Sequence, residues 1–396
     1  MRFLHAADLH LATAERAYSL GALEEIIRIA AREKCGAILL AGDVFDSYRD
    51  MEALRGEFRD RLESLPPDCA VFFIPGNHEE LRSPSGRAPL SGLDLGRARI
   101  PEETPFQLFS LSPEAELLCL PFRRDYSDYR NWPAPPKKRP LRILLAHGLV
   151  PGIVYTGPEE ESPAGTIDPD LFGYLSIDLA ALGHIHAGSI TRIGDTTVAY
   201  PGSARVWREG ETGPRQVFLG ATDTIPPRLV PVRLESAGAF VPLSLSVGLD
   251  GEVRLPQDFG TPGKMDWLHL EVSGVVEDER PVLEEARKIV TSLEKNCRRV
   301  TTDTASLEVL AGISTHPLAR EFLKRWEALL AQGGGAAGDG GAAGDGGAGS
   351  GVRATTEGGG AAAGGAGPGE NDPLAALLLA RRKGLSALKA VLEGRR

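Results

Sequence analysis

Cysteine, aromatic residues, basic charge and long apolar runs are all scarce in this chain of 396 residues. Its four cysteines (Cys35, Cys69, Cys119 and Cys297) form neither a CxxC pair nor a zinc-type spacing. A disulfide scaffold and a thiolate metal site are set aside, and a reducing compartment, the cytoplasm, is expected. No run approaches the ~20 apolar residues of a membrane span, so no membrane partner is expected. The opening MRFLHAADLH brings Asp8 and His10 too early for the apolar core of a signal peptide. Lysine and arginine number 44 against 54 aspartates and glutamates, a net charge of −10. A surface that gripped phosphate backbones throughout would be basic; any contact with nucleic acid must use a local patch, metal ions or a basic partner.

What is present is an ordinary globular balance, 42% hydrophobic and 25% charged, with length for two or three domains. Glycine marks the clearest boundary. Of 47 glycines, 18 fall between Gly333 and Gly369, where GGAAGD occurs twice (334–339 and 340–345). With one valine and no other large apolar residue, residues 332–370 cannot offset the entropy of ordering, and read as a disordered Gly/Ala-rich linker. Its root-mean-square reach would be roughly 33 Å. A calcium-binding β-roll would need a nine-residue repeat with an apolar anchor, and neither is there. Beyond it, residues 371–396 resume helical signals: Asp372 as a cap, Pro373 in the first turn, then Leu374, Leu378, Leu385, Leu388 and Leu392 on one stripe. That stripe either packs back on its own chain or docks in a partner's apolar groove.

Residues 1–220 alternate helical patterns with short apolar strands at 2–6, 37–41, 70–74, 142–146 and 178–182. Runs of this kind with polar loops at their carboxyl ends predict strands buried in a layered α/β core. Residues 131–140 (NWPAPPKKRP) read as a basic surface loop. Residues 221–331 change pattern: strands at 267–274 and 304–310 and helices at 281–296 and 317–330 suggest a smaller α+β domain.

The chemistry lies just past the strand ends. There stand Asp8-Leu9-His10, Gly42-Asp43-Val44-Phe45-Asp46, Gly76-Asn77-His78-Glu79, Ala146-His147-Gly148 and Gly183-His184-Ile185-His186. Ligands gather where strand ends meet loops, so five polar clusters at five such ends are expected to converge. Singly, each motif is more often a turn or a strand end. Jointly and in this order, coincidence explains them poorly. Asp8, Asp43, Asn77, His10, His147, His184 and His186 offer oxygen and nitrogen without sulfur, which suits Mn²⁺ or Fe²⁺, with Mg²⁺ or Zn²⁺ as alternatives. Seven ligands exceed one site, but fit two divalent ions that share a carboxylate.

This ordered set resembles the calcineurin-like metallophosphoesterase superfamily, and within it the bacterial SbcD/YhaO type of DNA-repair exonuclease. FLHAADLHL, GDVFDS, IPGNHE, AHG, and GHIH followed by YPGSARVWREGE (200–211) carry the resemblance, which covers about 1–220. It implies a four-layer α/β sandwich with a smaller capping, DNA-recognition domain (221–331), and a Mn²⁺-dependent exonuclease working with an SMC-like coiled-coil ATPase of the SbcC/YhaN type. Residues 371–396 are the expected docking segment, and a homodimer is a family expectation. By the same resemblance, Asp8, His10, Asp43 and His186 would take one ion, and Asp43, Asn77, His147 and His184 the other. His78 would serve the leaving oxygen, with the Asp46 carboxylate orienting it. Asp46→Asn is then expected to lower turnover and leave metal content intact.

Glu79 departs from the Asp usual after Gly-Asn-His, so the loop around His78 is open to a different setting. Arg82, Arg87, Arg97, Arg99, Arg123, Arg124, Lys137, Lys138 and Arg139 are candidates for phosphate contacts, although solvated surface roles are commoner. Tyr18, Tyr48, Trp132 and Trp207 could stack on bases, although core or rim roles are commoner. Two rivals stay open: a nucleotide or cyclic-nucleotide phosphodiesterase, and a non-catalytic regulatory subunit.

Overall fold

The computed structural model describes residues 1–79, 92–153, 165–247, 252–256, 259–276 and 278–309, with 317–318, 320–322, 324–325 and 383–384. The expected linker 332–370 lies outside these residues. So do nearly all of the docking segment 371–396 and most of the helix expected at 317–330.

The chain divides into two compact units. The first comprises Met1–Pro242, Thr261–His269 and Leu293–Thr301, and the second the remainder. In the first, β1 (Arg2–Ala6), α1 (Arg16–Arg32), β2 (Ala37–Ala41), α2 (Tyr48–Leu62), β3 (Ala70–Ile74) and β4 (Ala98–Arg99) come in turn. Then follow β5 (Gln107–Ser110), β6 (Ala115–Cys119), β7 (Leu141–His147), α3 (Asp170–Tyr174), β8 (Leu179–Gly183), β9 (Ser189–Ile193) and β10 (Thr196–Tyr200). β11 (Gln216–Ala221) and β12 (Leu229–Arg233) return to the first sheet. That sheet runs β12-β11-β1-β2-β3-β4 and the second β5-β6-β7-β8-β10-β9. The strands that end at the polar motifs are parallel neighbours within each sheet. The expected boundary at residue 220 lies inside this unit, because β12 pairs antiparallel with β11 along five register positions.

Alternation along each strand builds four layers. Phe3, Leu39, Phe72 and Ile74 face inward and meet Leu117, Ile143, Leu145, Leu179 and Ala181 of the other sheet. Leu4, Ile38, Leu40, Val71 and Phe73 face outward under Leu23, Ile26, Ile27 and Ala30 of α1 and Met51, Leu54, Phe58 and Leu62 of α2. On the far side Leu144, Ala180, Leu182 and Val198 lie under Leu171 and Phe172 of α3, with Tyr126, Tyr129 and Trp132. Burial on both faces is why these strands read as unbroken apolar runs. β6 escaped the sequence reading because Glu116 interrupts its run; Glu116 sits opposite Arg142 of β7. Arg142, fully buried, donates from Nε to Glu116 Oε1 at 2.7 Å.

In the second unit, β14 (Val253–Arg254) pairs with the end of β13 (Phe240–Val247), and β17 (Leu307–Val309) with the end of β15 (Trp267–Val276). α4 (Glu279–Leu293) buries Val282 and Ala286; β16 (Arg299–Asp303) follows it and, like β13 and β15, begins in the first unit and ends in the second. No helix among the described residues is long and apolar enough to cross a membrane.

Candidate metal centre

Five strands end at one place. Asp8 and His10 follow β1, Asp43 and Asp46 follow β2, Asn77 and His78 follow β3, His147 closes β7, and His184 and His186 follow β8. The loops after β1 and β2 run side by side: Asp8 N donates to Gly42 O, and His10 N to Asp43 O, both at 3.0 Å. Arg205, fully buried, donates from Nη2 to His10 O at 2.7 Å and meets Glu15 Oε2 at 2.6 Å. Asp8, His10, Asp43 and His184 adopt positive φ of 52°, 45°, 48° and 101°. Such conformations cost of order 1–3 kcal/mol each, and persist where surrounding contacts over-determine them. Four of the seven expected ligands are strained in this way.

Two motif glycines are explained by close approach. Gly42 has φ +89°, and a Cβ there would lie 2.2 Å from His147 Nδ1. A Cβ on Gly76 would lie 2.1 Å from Asp43 Oδ1.

Ligating atoms gather in three sets, each within 4.8 Å: Asp8, His10 and His186; Asp43, His147 and His184; His10, Asp46 and His78. Hydrogen bonds assign the imidazole tautomers. His147 Nδ1 donates to Ala41 O at 2.8 Å, and its Nε2 lies 3.3 Å from Asp43 Oδ2 and 2.9 Å from Asn77 Oδ1. Asn77 Oδ1 also lies 3.2 Å from His184 Nδ1. His186 Nδ1 donates to Glu211 Oε1, so its Nε2 faces His10 Nε2 at 3.1 Å. Acceptors aimed at acceptors repel unless a proton or cation stands between them. Two buried carboxylates and four buried imidazoles arranged so fit divalent ions on hard oxygen and borderline nitrogen.

The electrostatics carry the same strain. Burial, together with the charge of Asp43, pushes the Asp8 carboxyl up to about 8. Burial also works against ionised Asp43, yet the neighbouring imidazoles, His147 first, outweigh it and hold that carboxyl far below its usual range. For His147 burial disfavours charge, but Asp43 and Asp8 prevail and raise it to about 9. Burial, reinforced by neighbouring imidazoles, drops His10 and His184 to about 3.

One expected partnership is corrected. The Asp46 carboxylate does not orient His78; the Asp46 main-chain oxygen does, accepting from His78 Nδ1 at 2.8 Å. The carboxylate instead accepts from Trp207 Nε1 at Oδ1, 2.6 Å, and the same oxygen lies 3.3 Å from His10 Nδ1. Glu79, the departure in the Gly-Asn-His motif, is buried and accepts from Phe45 N (2.7 Å), Gly76 N (2.7 Å) and Asp43 N (3.1 Å). It braces the loops after β2 and β3 together.

Sequence reasoning missed Glu211, Arg205 and this role of Glu79. Glu211 holds His186 from a stretch quoted for its motif, but no spacing rule ties it to a histidine 25 residues earlier. Most of the basic candidates that are described are already engaged. Arg97 donates to Leu65 O and Pro67 O, Arg123 pairs with Asp128, Lys137 with Asp178, and Arg139 donates to Pro113 O. Arg82 and Arg87 lie outside the described residues. Tyr18 and Trp132 are buried, and Trp207 stacks on His10 with ring centroids 4.1 Å apart.

Residues 1–188 match the family model for calcineurin-like phosphoesterase. The uncharacterized metallophosphoesterase YhaO of Bacillus subtilis is 27% identical over an alignment of 248 positions that covers 55% of this chain and 57% of that protein. Two proteins named DNA double-strand break repair protein Mre11 are also similar. That of Methanocaldococcus jannaschii is 26% identical over 52% of this chain and 57% of its own length. That of Halobacterium salinarum is 24% identical over 54% of each. The chain thus spans little more than half the length of the curated relatives it matches.

Proposed function

Residues 1–188 are a calcineurin-like metallophosphoesterase domain, and from this premise we propose that the protein is a two-metal DNA exonuclease that hydrolyses phosphodiester bonds with Mn²⁺. The observation that carries the reading is the convergence of the seven expected ligands, six of them buried and four strained, beside a partly exposed histidine. Asp8, His10, Asp43 and His186 would hold one ion, and Asp43, Asn77, His147 and His184 the other. When bound, such a pair supplies Lewis acidity at the phosphoryl oxygen and a water acidified for attack.

The chain's own groups do the rest. His78 lies beside His10, ring centroids 4.7 Å apart, on the rim of the cluster. Its Nδ1 proton is committed to Asp46 O, so its Nε2 is the atom that holds or delivers a proton at the leaving oxygen. The strained loops and buried Arg205 keep the ligand set assembled before substrate arrives, so little reorganisation is left for the reaction.

DNA as substrate is supported by the quoted motifs and by two relatives named as DNA double-strand break repair proteins. On the same reading an SMC-like ATPase is the partner, docked through residues 371–396, and the chain is a cytoplasmic homodimer. The test is cleavage of end-labelled linear duplex DNA in Mn²⁺, with Asp43→Ala as the blank. Loss of cleavage in the variant is expected. Hydrolysis of bis-p-nitrophenyl phosphate without DNA cleavage would favour a nucleotide or cyclic-nucleotide phosphodiesterase, and silence on both a regulatory subunit. Removing 371–396 is expected to abolish ATPase co-purification and spare hydrolysis of the small diester; loss of both would make the segment part of the fold.

A further inference from the structure

The holders of His10 and His186 are themselves joined, and the join is Trp207. Glu211 accepts from His186 Nδ1 with one carboxylate oxygen and from Trp207 N with the other, at 2.8 Å. The Trp207 indole Nε1 donates to Asp46 Oδ1 at 2.6 Å, and that oxygen lies 3.3 Å from His10 Nδ1. His10 Nε2 and His186 Nε2, 3.1 Å apart, close the ring. The indole also covers the His10 ring, with planes 12° apart, and meets His78 and His186 edge-on with centroids 5.3 Å away in each case.

We propose that Trp207 is a positioning residue for one of the two ion positions. It turns the Asp46 carboxylate onto His10 Nδ1, so that His10 presents Nε2 to the ion shared with Asp8 and His186. The inference rests on the two-metal reading of the site. A carboxylate on the far nitrogen of a ligating imidazole fixes its tautomer and aim, and losing such a partner typically costs about 10- to 100-fold in metal affinity. The loss should fall on the position that uses His10. The position built from Asn77, His147 and His184 has its own anchors, among them Ala41 O on His147.

Two measurements test this. In titration calorimetry with Mn²⁺ alone, Trp207→Phe, which keeps a ring against His10 but loses the donor, should weaken one of two equivalents about tenfold. Asp46→Ala should weaken the same equivalent about 10- to 100-fold, and Asp46→Asn, which keeps an acceptor oxygen, should restore most of it. The double variant Asp46→Ala/Trp207→Phe should be no weaker than Asp46→Ala, because the indole acts through Asp46. In ¹⁵N-histidine NMR of the metal-free protein, His10, assigned with His10→Gln, should be the Nδ1–H tautomer, and the Trp207→Phe and Asp46→Ala variants a mixture.

Binding of Mn²⁺ to Trp207→Phe as tightly as to the parent, equal losses at both equivalents, or an unchanged His10 tautomer would overturn the proposal. If the parent takes up no Mn²⁺, the two-metal reading fails while the tautomer still decides the role of Trp207. If Trp207→Phe does not fold, the Asp46→Ala and Asp46→Asn pair carries the same test.

Discussion

One methyl group at Gly76 should separate an assembled site from a merely folded one. The residue is buried, and its φ lies outside the left-handed region, so alanine meets no backbone penalty there. The obstacle is steric: the new Cβ would stand 2.1 Å from Asp43 Oδ1 and 2.7 Å from Asp43 N, when ordinary contact begins near 3.4 Å. Asp43 or the Gly76 loop must therefore yield by about 1.3 Å. A misplacement of about 1 Å at a reacting centre can cost on the order of 10²-fold. Gly76→Ala is thus expected to lose about 100-fold in kcat for Mn²⁺-dependent hydrolysis of bis-p-nitrophenyl phosphate and to bind Mn²⁺ more weakly. Gly21→Ala in α1, where nothing lies within 4 Å of the added methyl, is the control. It should keep parental turnover and gain roughly 0.5–1 kcal/mol in stability. If Gly76→Ala folds and turns over within about threefold of the parent, Asp43 does not stand at the reacting centre and the reasoning fails.

Two further predictions concern the core that holds the site. His5 is fully buried, and burial lowers it from 6.5 to about 3, against its hydrogen bond to Leu182 O. The unfolded chain therefore takes up this proton near pH 6.5 and the fold does not, so its contribution is complete above that pH and lost as pH falls toward about 3. Between pH 7 and pH 5 the parent should lose about 2 kcal/mol more than His5→Gln in urea titrations; equal losses would sink the idea. Arg142 donates to Glu116, Pro135 O and Leu175 O from a fully buried position. Arg142→Met should cost about 3–5 kcal/mol by stranding Glu116. Adding Glu116→Gln should recover at least 1 kcal/mol of this, whereas additive losses would show that the pair is not coupled.

The ligand-bearing motifs were legible because each lies within a few residues of a strand end. A buried strand declares itself as a short apolar run, and the polar residues after it declare where its carboxyl end emerges. AILLA followed by Gly42-Asp43, and AVFFI followed by Gly76-Asn77-His78, could be read without knowing what they pack against. Gly42 and Gly76 were legible as parts of these motifs, but the need for glycine there, a neighbouring side chain that leaves no room for a Cβ, was not. β6 shows how such reading fails. Glu116 breaks the apolar run, and only the register with Arg142 on β7 makes a carboxylate tolerable there.

The sequence by itself determined which residues could ligate and at which strand ends they would stand, because strand propensity and chain direction are local properties. The tertiary structure decided what holds them. Trp207 reaches Asp46 across 161 residues, and Arg205 grips the His10 carbonyl across 195. The choice between two acceptors on the same residue, the Asp46 main-chain oxygen for His78 and its carboxylate for His10, turns on where a distant indole N–H arrives. Hydrogen-bond geometry is set by three-dimensional approach, and no spacing along the chain encodes it.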